Sequence, residues 1–336
     1  MSEVDQIQDG TIPANLQNGP TTTTLFEQWL QWWQSRSPFQ KLLPLALMAG
    51  FWMLHAALGG FRPDHLVVLF LALAYYGGPR TQSLYLFFLP FTLYLILYDS
   101  QGYYAEAIRG EVHVTEPYNF DKRFFGIETS RGRLLPSEWL QNHTHPILDI
   151  ITSLAYLTFV PVFLGVALFY RFYLVSRKNS PLEKETIKTK AHALMWGMFW
   201  LNILCCSTYF VYPAAPPWYV DQYGLGPAML DTAPSAAGAL RFDAIFGIHL
   251  FADIYAKCPN VFGAIPSGHV AFPMLCMYFA FKLKSLRVLC ILFFLLIAFS
   301  AVYLNHHYVL DVLWGAVYGL FVGWSMDKFY QLKPAT

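Results

Sequence analysis

Hydrophobic positions in this chain fall into long, nearly unbroken runs. They show neither strand-like alternation nor a single apolar helix face. The runs lie at about 41–59, 64–78, 83–99, 146–170, 192–212, 266–281, 285–304 and 308–326. A helix that crosses the hydrocarbon core of a bilayer needs about 20 mostly apolar residues. The pattern therefore predicts about eight spanning helices. Since 64–78, 83–99 and 266–281 are short, six or seven spans fit as well. Ahead of them, Leu25 to Lys41 carries Phe26, Trp29, Leu30, Trp32 and Trp33 among polar residues. That segment reads either as a helix lying in the membrane interface or as an extension of the first span. Residues 1–24 are polar and rich in Thr, Gln and Asn. They lack the basic start and apolar stretch of a cleavable signal peptide and read as a disordered cytoplasmic tail.

Composition agrees with a membrane protein. Hydrophobic residues make up 56% of the 336 and charged residues only 13%, against about 25% charge in soluble domains. The 18% aromatic content suits interfacial belts, where amphipathic rings sit at headgroup level. A net charge of +1 gives no reason to expect nucleic acid. The cysteines at 205, 206, 258, 276 and 290 lie mostly in apolar runs and show no zinc-ligand spacing. No metal or disulfide is expected.

Loop charge sets an orientation. The 171–190 connection holds Arg171, Arg177, Lys178, Lys184, Lys188 and Lys190, and a second short loop holds Lys282, Lys284 and Arg287. The long 213–262 connection has only Arg241 and Lys257. By the positive-inside rule the first two loops are cytoplasmic and the long one is not. The 100–145 segment falls on the outer side too, its five basic residues set against six acids. The fold class expected is an all-α polytopic membrane helix bundle with both termini cytoplasmic.

Two segments carry chemistry. The first is Gly263-Ala264-Ile265-Pro266-Ser267-Gly268-His269, followed at once by an apolar run. Pro suits a first helical turn, and Ser267 with Gly268 offers a hydroxyl and open N–H groups at the positive end of the helix dipole. Such a turn holds a phosphate, with His269 beside it. The plainer alternative is a proline-initiated helix with an interfacial histidine. The second segment is Tyr303-Leu304-Asn305-His306-His307-Tyr308-Val309-Leu310-Asp311. His307 and Asp311 are four apart, so on a helix they share a face and can hydrogen-bond. A carboxylate on one ring nitrogen leaves the other free to attack and stabilises the imidazolium. A structural His–Asp pair at a helix end is the alternative. His306 points about 100° away on a helix and is the weaker candidate. Under the charge-derived orientation both segments lie at the outer ends of their helices. One histidine can then attack phosphorus while the other protonates the leaving oxygen.

These segments resemble the type 2 phosphatidic acid phosphatase superfamily of lipid phosphatases and phosphotransferases, marked by a PSGH turn and a His-x3-Asp pair. The family's Lys-x6-Arg-Pro element is absent, and Ala301 stands where an Arg is usual. Within the superfamily, YPAAPPWYVDQYGLGPAML (212–230), RFDAIFGIH (241–249), VFGAIPSGH (261–269) and YLNHHYVLDVLWG (303–315) resemble inositol phosphorylceramide synthases, as does HTHPILDI (143–150). Gly268 departs from the Leu expected in fungal members. The resemblance implies a six-helix lipid-phosphatase-like catalytic core over 143–327. Around it lie the 1–24 tail, an N-terminal membrane and outer-loop region over 25–142, and a cytoplasmic tail over 328–336.

It also implies transfer of phosphoinositol from phosphatidylinositol to ceramide, releasing diacylglycerol, with no cofactor or metal. His307 is the expected nucleophile, forming a phosphohistidine, and Asp311 orients it. His269 is the expected acid and then base. Ser267 and Gly268 would hold the phosphate, with Arg241 replacing the missing clamp or simply pairing with Asp243. Tyr212, Trp218, Tyr219 and Tyr308 are candidate substrate-binding residues. The first three form either a rim for the inositol ring or a Pro-rich loop with belt aromatics. Asp149, beside His145, is read as a helix-end hydrogen-bonding group or part of a proton relay. The short termini suggest a bacterial relative, hence an inner membrane with a periplasmic active site; a Golgi lumen is the eukaryotic counterpart. A lipid phosphatase on the same scaffold and a transporter are the competing readings. Transport sites, however, usually sit near the bilayer midplane.

Overall fold

The computed structural model describes residues 24–58, 66–130, 132–180 and 182–332. The tail expected over 1–24 lies outside them apart from Thr24. The chain forms two compact units, 1–86 and 87–336.

In the first unit, α1 (Leu25–Gln34) starts at a capping box. The Thr24 hydroxyl accepts from the Glu27 N–H, and the Glu27 carboxylate accepts from the Thr24 N–H, so two otherwise unpaired donors are satisfied. α1 is a helix of its own, broken from α2 (Pro38–Leu58) at Ser35–Ser37, and does not simply lengthen the first span. The indole N–H of Trp29 donates to the Tyr76 carbonyl and that of Trp32 to Gln82 Oε1. These bonds tie α1 to the end of α3 (Leu66–Tyr76) and the start of α4 (Pro79–Ile108).

Among described residues, each expected apolar run forms helix. After α4 come α5 (Thr115–Phe125), the hairpin β1 (Ile127–Thr129) and β2 (Gly132–Leu134), α6 (Pro136–Gln141), α7 (Pro146–Leu157) and α8 (Phe159–Leu168). Then follow α9 (Lys184–Val211), α10 (Pro217–Tyr223), α11 (Leu240–Phe246) and α12 (Leu250–Tyr255). The chain ends with α13 (Gly268–Lys282), α14 (Arg287–Tyr303) and α15 (Val309–Leu332). Three helices among the described residues, α4, α9 and α15, are long and apolar enough to cross a membrane; α7 and α8 add a fourth if counted as one bent span. The single run expected over 146–170 is bent by 54°. Pro161 explains the break, because it lacks the N–H that would bond back to the Leu157 carbonyl. α4 runs nine residues past the expected end at 99, and α15 continues to Leu332, so residues 328–332 are helix instead of tail.

α13 is the central helix, packed by α15, α14, α9 and α8, and most of its side chains are buried. α15 approaches it along Gly315, Gly319 and Gly323. A Cβ on Gly315 would lie 2.4 Å from the Ser267 carbonyl oxygen, and one on Gly319 would lie 2.5 Å from that of Ala271. Small residues at four-residue spacing let helix backbones approach this closely. At the opposite end of this helix pair, the buried Asp327 carboxylate accepts from Lys190 Nζ at 2.5 Å, Lys282 Nζ at 3.1 Å and Tyr278 OH at 3.2 Å. α13 and α15 therefore begin together and end together, and the candidate site lies where they begin.

Candidate active site

α13 begins two residues later than the motif suggested. Ser267 is the N-cap and Gly268 the first helical residue, so Pro266 lies just outside the helix, joined to Ile265 by a cis peptide. The Tyr209 hydroxyl donates to the Pro266 carbonyl at 2.9 Å, and the Ser267 N–H donates to the Asp311 carbonyl at 3.0 Å. The second bond links the two motif segments directly. The Ser267 hydroxyl is fully buried and has no hydrogen-bond partner among the described residues.

His307 and Asp311 meet, but not on one helix face. α14 ends at Tyr303, and Asn305 turns the chain in the left-handed region at φ 61°, which Asn tolerates better than most residues. The N–H groups of both His306 and His307 then bond the Ala301 carbonyl, at 3.1 Å each. α15 starts only at Val309, so His307 precedes it. Asp311, in the first turn, folds its carboxylate back onto the Tyr308 N–H at 2.9 Å, and the same Oδ2 lies 3.3 Å from His307 Nδ1. A helix-capping contact thus aims the carboxylate at the imidazole. Asp311 is fully buried, and its Oδ1 has no partner among the described residues.

Asp121, which sequence reasoning passed over, completes this cap. Its buried carboxylate, from α5, accepts from the Val309 N–H at 3.2 Å and the Leu310 N–H at 2.9 Å. Burial pushes its pKa up to about 6, against the downward pull of those two N–H groups. The partners are 188 and 189 residues apart in sequence, so no local pattern marks the contact. Nearby, Asn305 Nδ2 donates to Asp221 Oδ2 at 2.5 Å.

His269 faces this cap across a short gap, its ring centroid 6.1 Å from that of His307. The ring stacks on Tyr156 at 3.8 Å and 11° and touches Phe159 at 4.4 Å. Tyr156 is buried and also stacks on His306, at 5.1 Å and 3°. No sequence signal singled out Tyr156, an aromatic inside an apolar run. One face of the site is aromatic and the other is a hydrogen-bonded turn. Between them two imidazoles are close enough to touch one phosphoryl centre.

The remaining candidates sit further out. Arg241 on α11 donates to Asp149 Oδ1 at 2.6 Å and to Gln141 Oε1 at 2.7 Å, and its guanidinium lies 5.2 Å from the Tyr303 ring centroid. Its ion-pair partner is thus Asp149 and not Asp243, which instead accepts from the Phe251 and Ala252 N–H groups at the start of α12. Asp149 also accepts from the Tyr303 hydroxyl at 2.9 Å. Together these bonds fasten the end of α14, from which the histidine turn departs. The YPAAPPWY aromatics are not an open rim. Trp218 and Tyr219 are buried with Val114, Ala215 and Phe262, and the Tyr219 hydroxyl accepts from the Met229 N–H. Tyr212 stacks on His113 at 3.9 Å. Tyr308 is fully buried beside Tyr118 and Leu135, its hydroxyl without a partner among the described residues.

Comparison with known proteins follows the same residues. Residues 131–324, more than half the chain, match the PAP2 superfamily. The chain is 32% identical to phosphoinositol dihydroceramide synthase of Bacteroides thetaiotaomicron, over 88% of this chain and 93% of that one. It is 28% identical to the inositol phosphorylceramide synthase catalytic subunit of Saccharomyces cerevisiae, over 71% of this chain and 55% of that one. The corresponding Schizosaccharomyces pombe subunit is 25% identical, over 70% and 52%. The chain therefore spans about half the length of these two fungal relatives. No solved structure matches it.

Proposed function

Starting from the fact that this chain belongs to the PAP2 superfamily, we propose that it is an integral-membrane phosphotransferase making inositol phosphorylceramide. It moves phosphoinositol from phosphatidylinositol to the primary hydroxyl of a ceramide-type lipid and releases diacylglycerol. The observation that carries this reading is the convergence of His269 with the His307–Asp311 pair at the paired starts of α13 and α15.

In the proposed mechanism, the Asp311 carboxylate holds the Nδ1–H of His307, leaving the Nε2 lone pair to attack phosphorus. A phosphorus–nitrogen bond forms as the phosphorus–oxygen bond to diacylglycerol breaks. His269 gives its proton to the departing oxygen. The ceramide hydroxyl then enters, loses its proton to His269 and attacks the phosphohistidine, breaking the phosphorus–nitrogen bond. Both histidines return to their starting states. The unpartnered Ser267 hydroxyl and the first N–H groups of α13, exposed by the small Gly268, suit the non-bridging phosphate oxygens. Arg241, engaged by Asp149 and Gln141, supports the histidine turn from behind. The positive loops at the far ends of the helices support a site on the non-cytoplasmic face.

The test is to incubate the purified protein with labelled phosphatidylinositol, with and without ceramide. The expected products are inositol phosphorylceramide and diacylglycerol, formed only with both lipids. Free inositol phosphate as the only labelled product would overturn the transferase reading and make water the acceptor.

A further inference from the structure

A histidine outside the proposed chemistry occupies an unusual setting. His306 is only 6% exposed, and its ring lies between Tyr156, at 5.1 Å and 3°, and Tyr255, at 4.8 Å and 13°. Tyr156 is the ring on which His269 stacks, so His306 is one aromatic ring removed from the acid–base group. One ring nitrogen of His306 faces the Ala236 backbone carbonyl. A carbonyl only accepts, so that nitrogen carries the hydrogen. The other, Nε2, is buried and has no partner among the described residues.

The charge state of the ring follows from its surroundings. Burial, reinforced by the neighbouring His307, pushes the His306 pKa down to about 3. The ring is therefore neutral at any working pH, and with its hydrogen directed at Ala236 its Nε2 can only accept a hydrogen bond. This excludes the phosphodiester as its partner, because phosphate oxygens are acceptors too. Such a nitrogen requires an O–H or N–H donor, and leaving it unsatisfied is costly. Ser267, whose hydroxyl can donate to phosphate, is the complementary case.

We propose that His306 is a substrate-binding residue that accepts a hydrogen bond from a substrate hydroxyl, either on the inositol ring of the donor or on the acceptor lipid. The two tyrosine faces fix the ring plane, and Ala236 fixes the tautomer, so the acceptor is pre-oriented before substrate arrives. This inference rests on the phosphoinositol transferase reading.

The experiment compares wild type with His306→Phe, His306→Asn and His306→Gln, measuring KM for donor and acceptor lipids separately. His306→Phe keeps the stacking and loses Nε2. His306→Asn keeps a donor for Ala236 and also loses Nε2. His306→Gln can place an amide oxygen near the Nε2 position. KM for one substrate is expected to rise about tenfold or more in the Phe and Asn variants, with substantial recovery in the Gln variant. A rise in donor KM assigns the inositol hydroxyls, and a rise in acceptor KM assigns the lipid hydroxyl. If folded Phe and Asn variants keep both KM values, the proposal is overturned and Nε2 serves a buried water instead. If wild type itself transfers no headgroup, the fault lies with the transferase reading, which is separately visible.

Discussion

Replacing Gly315 by Ala tests whether close helix approach assembles the site. The added Cβ would lie 2.4 Å from the Ser267 carbonyl oxygen, whereas Cβ contacts below 3.0 Å essentially never occur. Either α15 retreats or the Ser267 peptide moves, by roughly 0.6–1 Å to restore an ordinary contact. Ser267 also donates its own N–H to the Asp311 carbonyl, so the strain falls between Ser267 and Asp311, the residues proposed to hold the phosphate and to orient His307. Overpacking of this kind costs about 1–3 kcal/mol of stability. A misplacement near 1 Å at reacting groups costs on the order of 100-fold in rate.

Gly315→Ala is therefore expected to lower kcat by about 10- to 100-fold and to lower Tm as well. Gly323→Ala, whose Cβ meets the Tyr278 side chain first, at the far end of the helix pair, should lower Tm with a much smaller effect on kcat. Gly165→Ala, with nothing within 4 Å among the described residues, should leave kcat unchanged and not lower Tm. Initial rates of headgroup transfer and thermal unfolding in one detergent read both quantities. A Gly315→Ala protein with wild-type kcat and Tm would refute the argument that glycine contact sets the distance between the two motifs.

Asp121 gives a pH-dependent prediction. Its folded pKa of about 6 exceeds the ordinary 3.8, so the folded protein binds this proton more tightly than the unfolded chain. By linkage its contribution to stability is greatest below 3.8 and falls as pH rises through about 6. Above that the buried charge costs on the order of 3 kcal/mol. Asp121→Asn removes the buried charge but also one of the two acceptors, so its Tm relative to wild type should be more favourable at pH 7.5 than at pH 5; an equal difference at both pH values would contradict it. Truncating Arg241 to Ala leaves the Asp149 carboxylate, 4% exposed, without its cation, and should cost roughly 3–5 kcal/mol. Part of that loss should return in the Arg241→Ala, Asp149→Asn double variant, measured by thermal unfolding in a double-mutant cycle. Purely additive losses would contradict the pairing.

Much of this was legible in the chain. Apolar runs of span length predicted the helices because a membrane leaves few other ways to satisfy a backbone, and PSGH and His-x3-Asp marked the two ends that meet. His307 and Asp311 pair through a helix cap and not a shared helix face, so their spacing of four marks the right residues for a different geometric reason. Gly315, Gly319 and Gly323 were readable as a close-packing stripe but were overlooked among the apolar residues. Asp121 and Tyr156 were not readable, because their roles depend on contacts across distant segments and their local patterns are ordinary. The YPAAPPWY aromatics looked interfacial by composition, yet Trp218 and Tyr219 are buried because the 213–262 connection packs on itself and on Val114.

The central claim is that His307 carries the phosphoryl group while His269 moves the proton. Incubating His269→Ala protein with phosphatidylinositol labelled at phosphorus, followed by alkaline quenching and peptide mapping, tests it most directly. Acid-labile label should accumulate on the peptide containing His307, and Asp311→Asn should reduce it strongly. Label trapped on His269 in the His307→Ala protein, or headgroup transfer that survives loss of His307, would contradict the assignment.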